Sequence, residues 1–177
     1  MKRRLGIAVM MMALVALLLV VVPLAAPAAP SLNSYEQQLV SLINQQRAQR
    51  GLAKLRVNTK LISSAREHST DMSVNQYFQH DSLNGERWAS RIVRCGYKRS
   101  GYGYWKAGEN IYYGAGLFGS PCAVVDAWLA SKPHRQVLLT KVFRDIGVGA
   151  VECDSGFGDC AGSVWFFTLD LGRRIAK

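Results

Sequence analysis

The first thirty residues constrain this chain most, because their composition sets them apart from everything that follows. Bases occupy positions 2–4, Leu5 to Val22 is apolar and uncharged, and small residues dominate Pro23 to Pro30. A basic start, an apolar run and a small-residue segment, in this order, are typical of a secretory signal peptide. We therefore predict a cleaved signal peptide over residues 1–28 and export of the chain to the extracellular or periplasmic space.

An uncleaved N-terminal membrane anchor is the alternative interpretation of the same run. The apolar run from Leu5 to Val22 reaches the lower limit of length for a helix that spans a bilayer. No basic cluster follows Val22, and Pro and Ala follow instead, which favours cleavage. We expect no membrane span in the mature chain, a short leader over residues 29–33 and one domain over residues 34–177.

The composition after residue 30 indicates one folded domain of ordinary size. About 147 residues remain, which is enough to bury a hydrophobic core. Three of the 22 bases lie in the first thirty residues, so 19 bases and 12 acids remain, a net charge of +7. Seven Tyr, six Phe and four Trp are too much aromatic surface for a disordered chain, and the length excludes a multidomain enzyme.

All four cysteines lie in this domain, and export would place them in an oxidising compartment. Cys153 and Cys160 flank a short loop with two glycines, so we predict that they pair and that Cys95 pairs with Cys122. A zinc site is the alternative, but the spacings contain no C-x-x-C pair. Structural disulfides are therefore the role that we expect.

Hydrophobic periodicity and capping signals predict four helices, which cover residues 34–50, 58–78, 88–93 and 122–131. Ser34 with Gln37 has the spacing of a capping box at the first helix start. Pro133 argues against continuation of the last helix through Lys132. We expect the rest of the segment 81–108 to be loop, because it is rich in Gly and lacks long periodicity.

The end of the domain has the pattern of a β-hairpin. Ile146, Val148 and Ala150 alternate with glycines, and residues 164–171 form an aromatic and β-branched run. Helices that come first and a hairpin that comes last indicate an α+β fold rather than a wound α/β fold.

Two histidines and one glutamate are the residues of this sequence best placed for chemistry. His80 follows the second helix, His134 follows the last helix, and Glu109 follows a glycine between them. Zinc or another divalent cation accepts two imidazoles and a carboxylate as ligands, and the same groups could transfer protons. The long gaps between these three residues match no local metal motif, so each side chain could instead cap a helix or accept backbone hydrogen bonds.

Other polar residues near these positions receive simpler interpretations. We interpret His68, in the middle of the second helix, as a half-buried helix residue. Ser131 beside His134 suggests a nucleophile and a base, but the chain has no G-x-S-x-G motif. Asn110 directly follows Glu109, and we expect it to fix the backbone there.

A series of motifs in a fixed order resembles one family. The motifs are Phe78-Gln-His80, Gly-Glu-Asn110, Val-Val-Asp-Ala-Trp128 with Ser131 and His134-Arg135, Ile-Gly-Val-Gly149 and the closing aromatic strand. Together they resemble the CAP superfamily of cysteine-rich secretory proteins, venom allergens and pathogenesis-related proteins, in its short bacterial branch. The resemblance runs from about Tyr35 to Gly172, which is nearly the whole predicted domain.

The resemblance implies an α-β-α sandwich with a small antiparallel sheet and a cleft that carries two His and two Glu. By motif, His80, Glu109 and His134 would be three of these four, as metal ligands or as catalytic residues. Ser131 stands at the position of the second glutamate, so the tetrad is incomplete here. Asn110 and Ser131 would be neighbours of the cleft.

The segment Arg87 to Lys106 combines six bases with five aromatic residues and contains no acid. Bases that alternate with aromatic residues can bind polyanions. For an exported chain we expect a lipid surface, a cell-wall polymer or another anionic surface as the partner rather than nucleic acid. The alternative is a solvated loop whose tyrosines pack on the domain.

Three functions stay open at this point. The first is a non-catalytic secreted binding module whose cleft holds a divalent metal or a small or lipid ligand, as the resemblance implies. The second is a secreted hydrolase with a metal-bound or His-activated water and Glu109 as base. The third is a structural or interaction domain whose cleft is vestigial.

Overall fold

The computed structural model describes residues 31–177, and the predicted signal peptide lies outside the described residues. In this range the elements are α1 (Ser34–Ala48), β1 (Arg56–Val57), α2 (Thr59–Val74), α3 (Trp88–Arg94), β2 (Tyr102–Ala115), a 3-10 helix (Gly116–Gly119), α4 (Pro121–Ala130), α5 (Lys132–Leu138), β3 (Asp145–Cys153) and β4 (Val164–Ala176). The predicted α+β class is confirmed. None of the helices within 31–177 is long and apolar enough to cross a bilayer.

The four strands form one sheet in the order β1-β3-β4-β2. The strands β3 and β4 form the predicted antiparallel hairpin, and β2 pairs antiparallel with β4 along its whole length. The two-residue β1 pairs parallel with β3, so the small sheet is mixed rather than purely antiparallel.

Helices cover both faces of this sheet, as expected for an α-β-α sandwich. Ile146 and Val148 of β3 point into a core that they share with α1 and α4. Gly147 and Gly149, which alternate with them, face α2, where a Cβ on Gly149 would stand 2.4 Å from the Ala65 backbone. A side chain at Gly149 would therefore separate α2 from the sheet, and the alternating glycines allow the helix to pack directly on β3.

The helix boundaries differ from the sequence prediction for local reasons. The N-cap of α1 is Asn33, which forms a capping box with Glu36, so the predicted box at Ser34 is wrong by one position. Asn58 caps α2 as predicted, but the helix ends at Val74 instead of continuing to residues 77–78. Pro133 lies in the first turn of a new helix, α5, because proline is well tolerated there.

The largest error of the sequence prediction is β2, which covers part of the segment predicted to be loop. This strand runs over 14 residues, Tyr102–Ala115. Its three glycines, Gly103, Gly108 and Gly114, obscure a pattern of aromatic and β-branched residues that is typical of a strand. Glu109 therefore lies on a regular strand and not in a flexible loop.

The predicted disulfides are wrong, since all four cysteines of residues 31–177 are free thiols in the structure. Cys95 ends α3 on one side of the sheet, whereas Cys122 belongs to α4 on the other side. Cys153 is paired by the hairpin register with Val164, and Cys160 lies in a tight turn with Phe157. In both predicted pairs, each cysteine therefore lies next to a residue other than its predicted disulfide partner.

Candidate functional site

The structure brings His80 and Glu109 into direct contact. His80 lies in the connection between α2 and α3, and Glu109 lies in the middle of β2. The Nδ1 atom of His80 is 2.7 Å from Oε1 of Glu109. The side chain of His80 is 46% exposed, whereas that of Glu109 is 1% exposed. A buried carboxylate thus holds one nitrogen of a half-exposed imidazole.

Arg91, on α3, occupies the other oxygen of the same carboxylate. Its Nη2 atom donates to Oε2 of Glu109 at 2.5 Å, and the Arg91 side chain is 1% exposed. The guanidinium also donates to the backbone carbonyl of His80 at 3.3 Å and to Oγ of Ser82 at 3.1 Å. Arg91 therefore fixes the carboxylate and the backbone of His80 at the same time.

His134 and its neighbours approach this site from the other face of the sheet. Asn110, the residue after Glu109, donates from Nδ2 to the backbone carbonyl of His134 at 3.0 Å. Burial and the charge of the nearby His80 both lower the pKa of His134. Ser131 is half-buried at the N-cap of α5, three positions before His134. The expectation that Asn110 fixes a loop backbone beside Glu109 is wrong, because Asn110 lies on β2 and bonds the distant backbone of His134 instead.

A cleft of about 610 Å³ opens beside His80 and Glu109. Arg87 and Trp88, at the start of α3, line one part of the cleft, and Val137 of α5 lines another. The cleft therefore combines a half-exposed imidazole with one base, the acid Asp81, an indole and an aliphatic wall.

Asp170 lies behind Glu109, on the adjacent strand and fully buried. Burial first, and then the charge of Glu109, raise the pKa of Asp170 well above its usual range. Ser64 and His68 of α2 are also completely buried. Ser64 Oγ, His68 Nδ1 and both Asp170 oxygens have no hydrogen-bond partner within residues 31–177. The carboxylate that holds His80 thus rests on a buried polar layer.

The geometry separates the three predicted metal ligands into two kinds. Within residues 31–177, no group of three or more His, Cys, Asp or Glu side chains is arranged to hold a metal ion. Both oxygens of Glu109 are bonded, to His80 and to Arg91. The imidazoles of His80 and His134 are the groups that could contact a cation directly, with Glu109 behind one of them. The metal site itself stays a prediction.

Sequence reasoning misses the residues that hold Glu109 from behind. It places Arg91 among the bases of the basic segment, although Trp88 precedes it by three positions and so shares its face of the helix. Asp170 belongs to the face of β4 that carries Phe166, but its pairing with Glu109 depends on the unpredicted β2. His68 is completely buried and not half-buried.

Comparisons with known proteins agree with this architecture. The model of the cysteine-rich secretory protein family, CAP, matches residues 40–171. The protein YkwD of Bacillus subtilis is 37% identical over 138 residues, which are 78% of this chain and 48% of YkwD. An extracellular protein containing an SCP domain from Bacillus anthracis is 30% identical, with a TM-score of 0.60 over 81% of this chain and 40% of that chain.

A more distant solved structure shows the fold alone. An outer surface protein from Borrelia burgdorferi is 22% identical, with a TM-score of 0.59 over 78% of this chain and 91% of that chain. The chain spans about half or less of the length of the Bacillus subtilis and Bacillus anthracis proteins. The family model covers well over half of the chain, from the middle of α1 to the middle of β4, and so includes every residue of the cleft. The chain belongs to the cysteine-rich secretory protein family, CAP.

Proposed function

We propose that this CAP domain is an exported binding protein whose cleft binds a divalent cation such as zinc through the imidazoles of His80 and His134. The observation that carries the proposal is the 2.7 Å contact between His80 Nδ1 and Glu109 Oε1. Because Glu109 occupies Nδ1, the Nε2 atom is the nitrogen that His80 can offer to a ligand in the cleft.

The surroundings of His80 match those of metal-binding histidines in general. Such histidines donate their second ring N–H to a carboxylate, which fixes the tautomer and increases the basicity of the other nitrogen. Arg91 compensates the charge of Glu109 from the buried side. Burial lowers the pKa of His134 and so favours the neutral imidazole, which is the form that binds a cation. Two imidazoles leave further positions of the cation open for a small ligand.

The same contacts argue against the hydrolase that uses Glu109 as its general base. A base must reach the proton that it removes, at about 2.6–3.2 Å. Both oxygens of Glu109 are engaged and its side chain is 1% exposed, so it orients His80 instead. Binding therefore agrees better with the geometry than hydrolysis by this carboxylate.

Export is supported by two separate observations. The sequence has the pattern of a signal peptide over residues 1–28. The related Bacillus anthracis protein is described as extracellular. A role outside the cytoplasm follows from the proposal.

Isothermal calorimetry with zinc tests the proposed site. We expect the purified protein to bind and Glu109→Gln to weaken binding by about 10–100-fold, as is usual for residues that support metal ligands. Both His80→Ala and His134→Ala should weaken binding more than Glu109→Gln does. Gln136→Ala, an exposed change next to His134, is the control and should bind as the unmodified protein does.

Absence of heat with the unmodified protein would reject the metal proposal. Equal binding by all variants would place the cation elsewhere. Organic extraction of the purified protein, followed by mass spectrometry, tests the lipid alternative. A lipid that is present in the unmodified protein and lost in His80→Ala would assign the cleft to that lipid instead of a cation.

A further inference from the structure

Ten bases gather at one end of the sheet, where β2 begins and β4 ends. The register places Lys106 opposite Arg173, and Trp105 opposite Arg174. The turns before β2 and β3 and the short β1 lie at the same end. We call this surface the basic end, and its bases are Arg56, Lys60, Lys98, Arg99, Lys106, Lys141, Arg144, Arg173, Arg174 and Lys177.

The charge of the basic end is almost uncompensated. Asp145 is the acid located among these bases, and it already bonds to the Tyr97 hydroxyl and to Arg56. The opposite end of the sheet has the reverse character, since the chain carries no base from Asp145 to Gly172 but has acids in and beside the hairpin loop. The net positive charge of the domain is therefore concentrated at one end.

Aromatic rings hold several of these cations in place. The guanidinium of Arg174 lies 4.1 Å from the ring centre of Tyr97 and 4.6 Å from that of Tyr102. Arg99 lies 4.3 Å from the Trp105 ring. Cation–π contacts restrict the side chains, so less conformational entropy is lost when an anion binds.

The basic end differs from the basic segment predicted from the sequence. Within Arg87 to Lys106, Arg91 is buried against Glu109, and Arg94 is neutralised by Glu67 and Glu86. Bases from β4 and from the turn before β3 take their place at the surface. The structure therefore builds a basic surface from segments that lie far apart in the chain and meet through the pairing of β2 with β4.

We propose that the basic end binds a linear phosphate-rich polymer, such as an acidic polymer of the cell envelope. Guanidinium groups match phosphate geometry through paired N–H donors, and several cations gathered at one end of the sheet can contact successive phosphates of a polymer. A membrane surface fits less well, because the most exposed large apolar side chains, Leu117, Val74 and Phe118, lie at the far end, after β2 and at the end of α2. Those at the basic end, Val57, Tyr104 and Ile175, are less than half exposed. This proposal stands independently of the cation site.

Binding of fluorescently labelled inorganic polyphosphate, measured by anisotropy over a range of salt concentrations, tests the proposal. For Arg99→Gln/Arg174→Gln we expect an affinity about tenfold lower near ~0.15 M salt. The slope of log K against log salt should decrease by about 1.4, at about 0.7 for each lost phosphate contact. The control Lys132→Gln/Arg135→Gln removes the same charge from α5 and should keep the slope of the unmodified protein.

A second double variant controls for any effect on folding that the loss of the cation–π contacts of Arg99 and Arg174 has. Lys98→Gln/Lys141→Gln removes two exposed bases that make no ring contact and should reproduce the loss of affinity and of slope. Equal losses in the control pair would show that only net charge matters and would overturn the proposal. Tighter binding to phosphatidylglycerol vesicles than to polyphosphate would also overturn it, in favour of a membrane surface. Zinc titration of Arg99→Gln/Arg174→Gln should be unchanged, which separates this surface from the cleft.

Discussion

Replacement of Arg91 tests the internal support of the site more sharply than replacement of any exposed residue. Arg91 and Glu109 are each 1% exposed, and Arg91 also donates to the His80 carbonyl and to Ser82. Arg91→Ala leaves the Glu109 carboxylate buried beside Asp170 without its cation. Arg94, one turn later on α3, is the matched control, because it is 50% exposed and bonded to two acids.

The expected magnitudes differ by several-fold. Removal of one partner from a buried ion pair costs about 3–5 kcal/mol, because the remaining charge is buried and uncompensated. Removal of an exposed ion pair costs about 0–1 kcal/mol, because water solvates the remaining charge and salt screens the pair. We therefore expect Arg91→Ala to lower the free energy of unfolding by about 3 kcal/mol more than Arg94→Ala does.

Urea unfolding followed by circular dichroism and by tryptophan fluorescence measures both values. If Arg91→Ala fails to fold, Arg91→Lys is the substitute, and it should recover part of the stability because it keeps the charge without the guanidinium geometry. A second readout is the NMR chemical shift of the His80 carbonyl carbon, to which Arg91 donates. It should move in both Arg91 variants and remain unchanged in Arg94→Ala. An equal loss in the free energy of unfolding for Arg91→Ala and Arg94→Ala would refute the stabilising role of the buried Arg91–Glu109 ion pair.

Packing, proton linkage and metal competition each give one more prediction. Gly149→Ala should lower the free energy of unfolding by about 3 kcal/mol or more, because its Cβ would meet the Ala65 backbone at 2.4 Å. Gly103→Ala is the control, since a Cβ there has no neighbour closer than 3.7 Å, and it should lower the free energy of unfolding by less than about 1 kcal/mol. Thermal or urea unfolding measures both. The pKa of Asp170 is raised in the folded state, so its contribution to the free energy of unfolding is complete below the unfolded pKa, near 3.8, and decreases as pH rises towards the folded value. Asp170→Asn should remove this pH dependence from the free energy of unfolding. The same pH dependence in Asp170→Asn would contradict the prediction. Zinc affinity should fall as pH drops through the imidazole range near ~6.5, because protons compete for the histidines. Calorimetry measures the zinc affinity above and below this pH range. Equal zinc affinity at both pH values would show that the histidines are not the ligands.

The fold class could be predicted because its signals are local. The N-cap at Asn58 and the alternation of Ile146 and Val148 with glycines depend on neighbouring residues, and both predictions hold in the structure. The strand β2 was missed because its glycines and aromatic residues fit a loop as well as a strand. An edge strand such as β2 is stabilised by its hydrogen bonds to the neighbouring strand, and that neighbour, β4, comes much later in the chain.

The motif residues of the site could be predicted from the sequence, but the buried residues that support them could not. His80, Glu109 and His134 occur in motifs of the family, so their positions could be named from the sequence. The buried partners of Glu109 could not, because Arg91 and Asp170 come from α3 and β4 and meet only after the sheet has formed. The disulfide prediction failed for the same reason, since sequence spacing does not show that Cys95 and Cys122 lie on opposite faces of the sheet.

In the proposed cation site, His80 offers Nε2 to the cation together with His134, while Glu109 holds Nδ1. Nitrogen-15 NMR of the histidine side chains during a zinc titration measures this arrangement, because it distinguishes the two ring nitrogens. We expect a zinc-induced shift at Nε2 of His80 and at one ring nitrogen of His134, with Nδ1 of His80 still protonated towards Glu109. A shift at Nδ1 of His80, or no shift at either histidine, would show that the cleft does not bind the cation in this way.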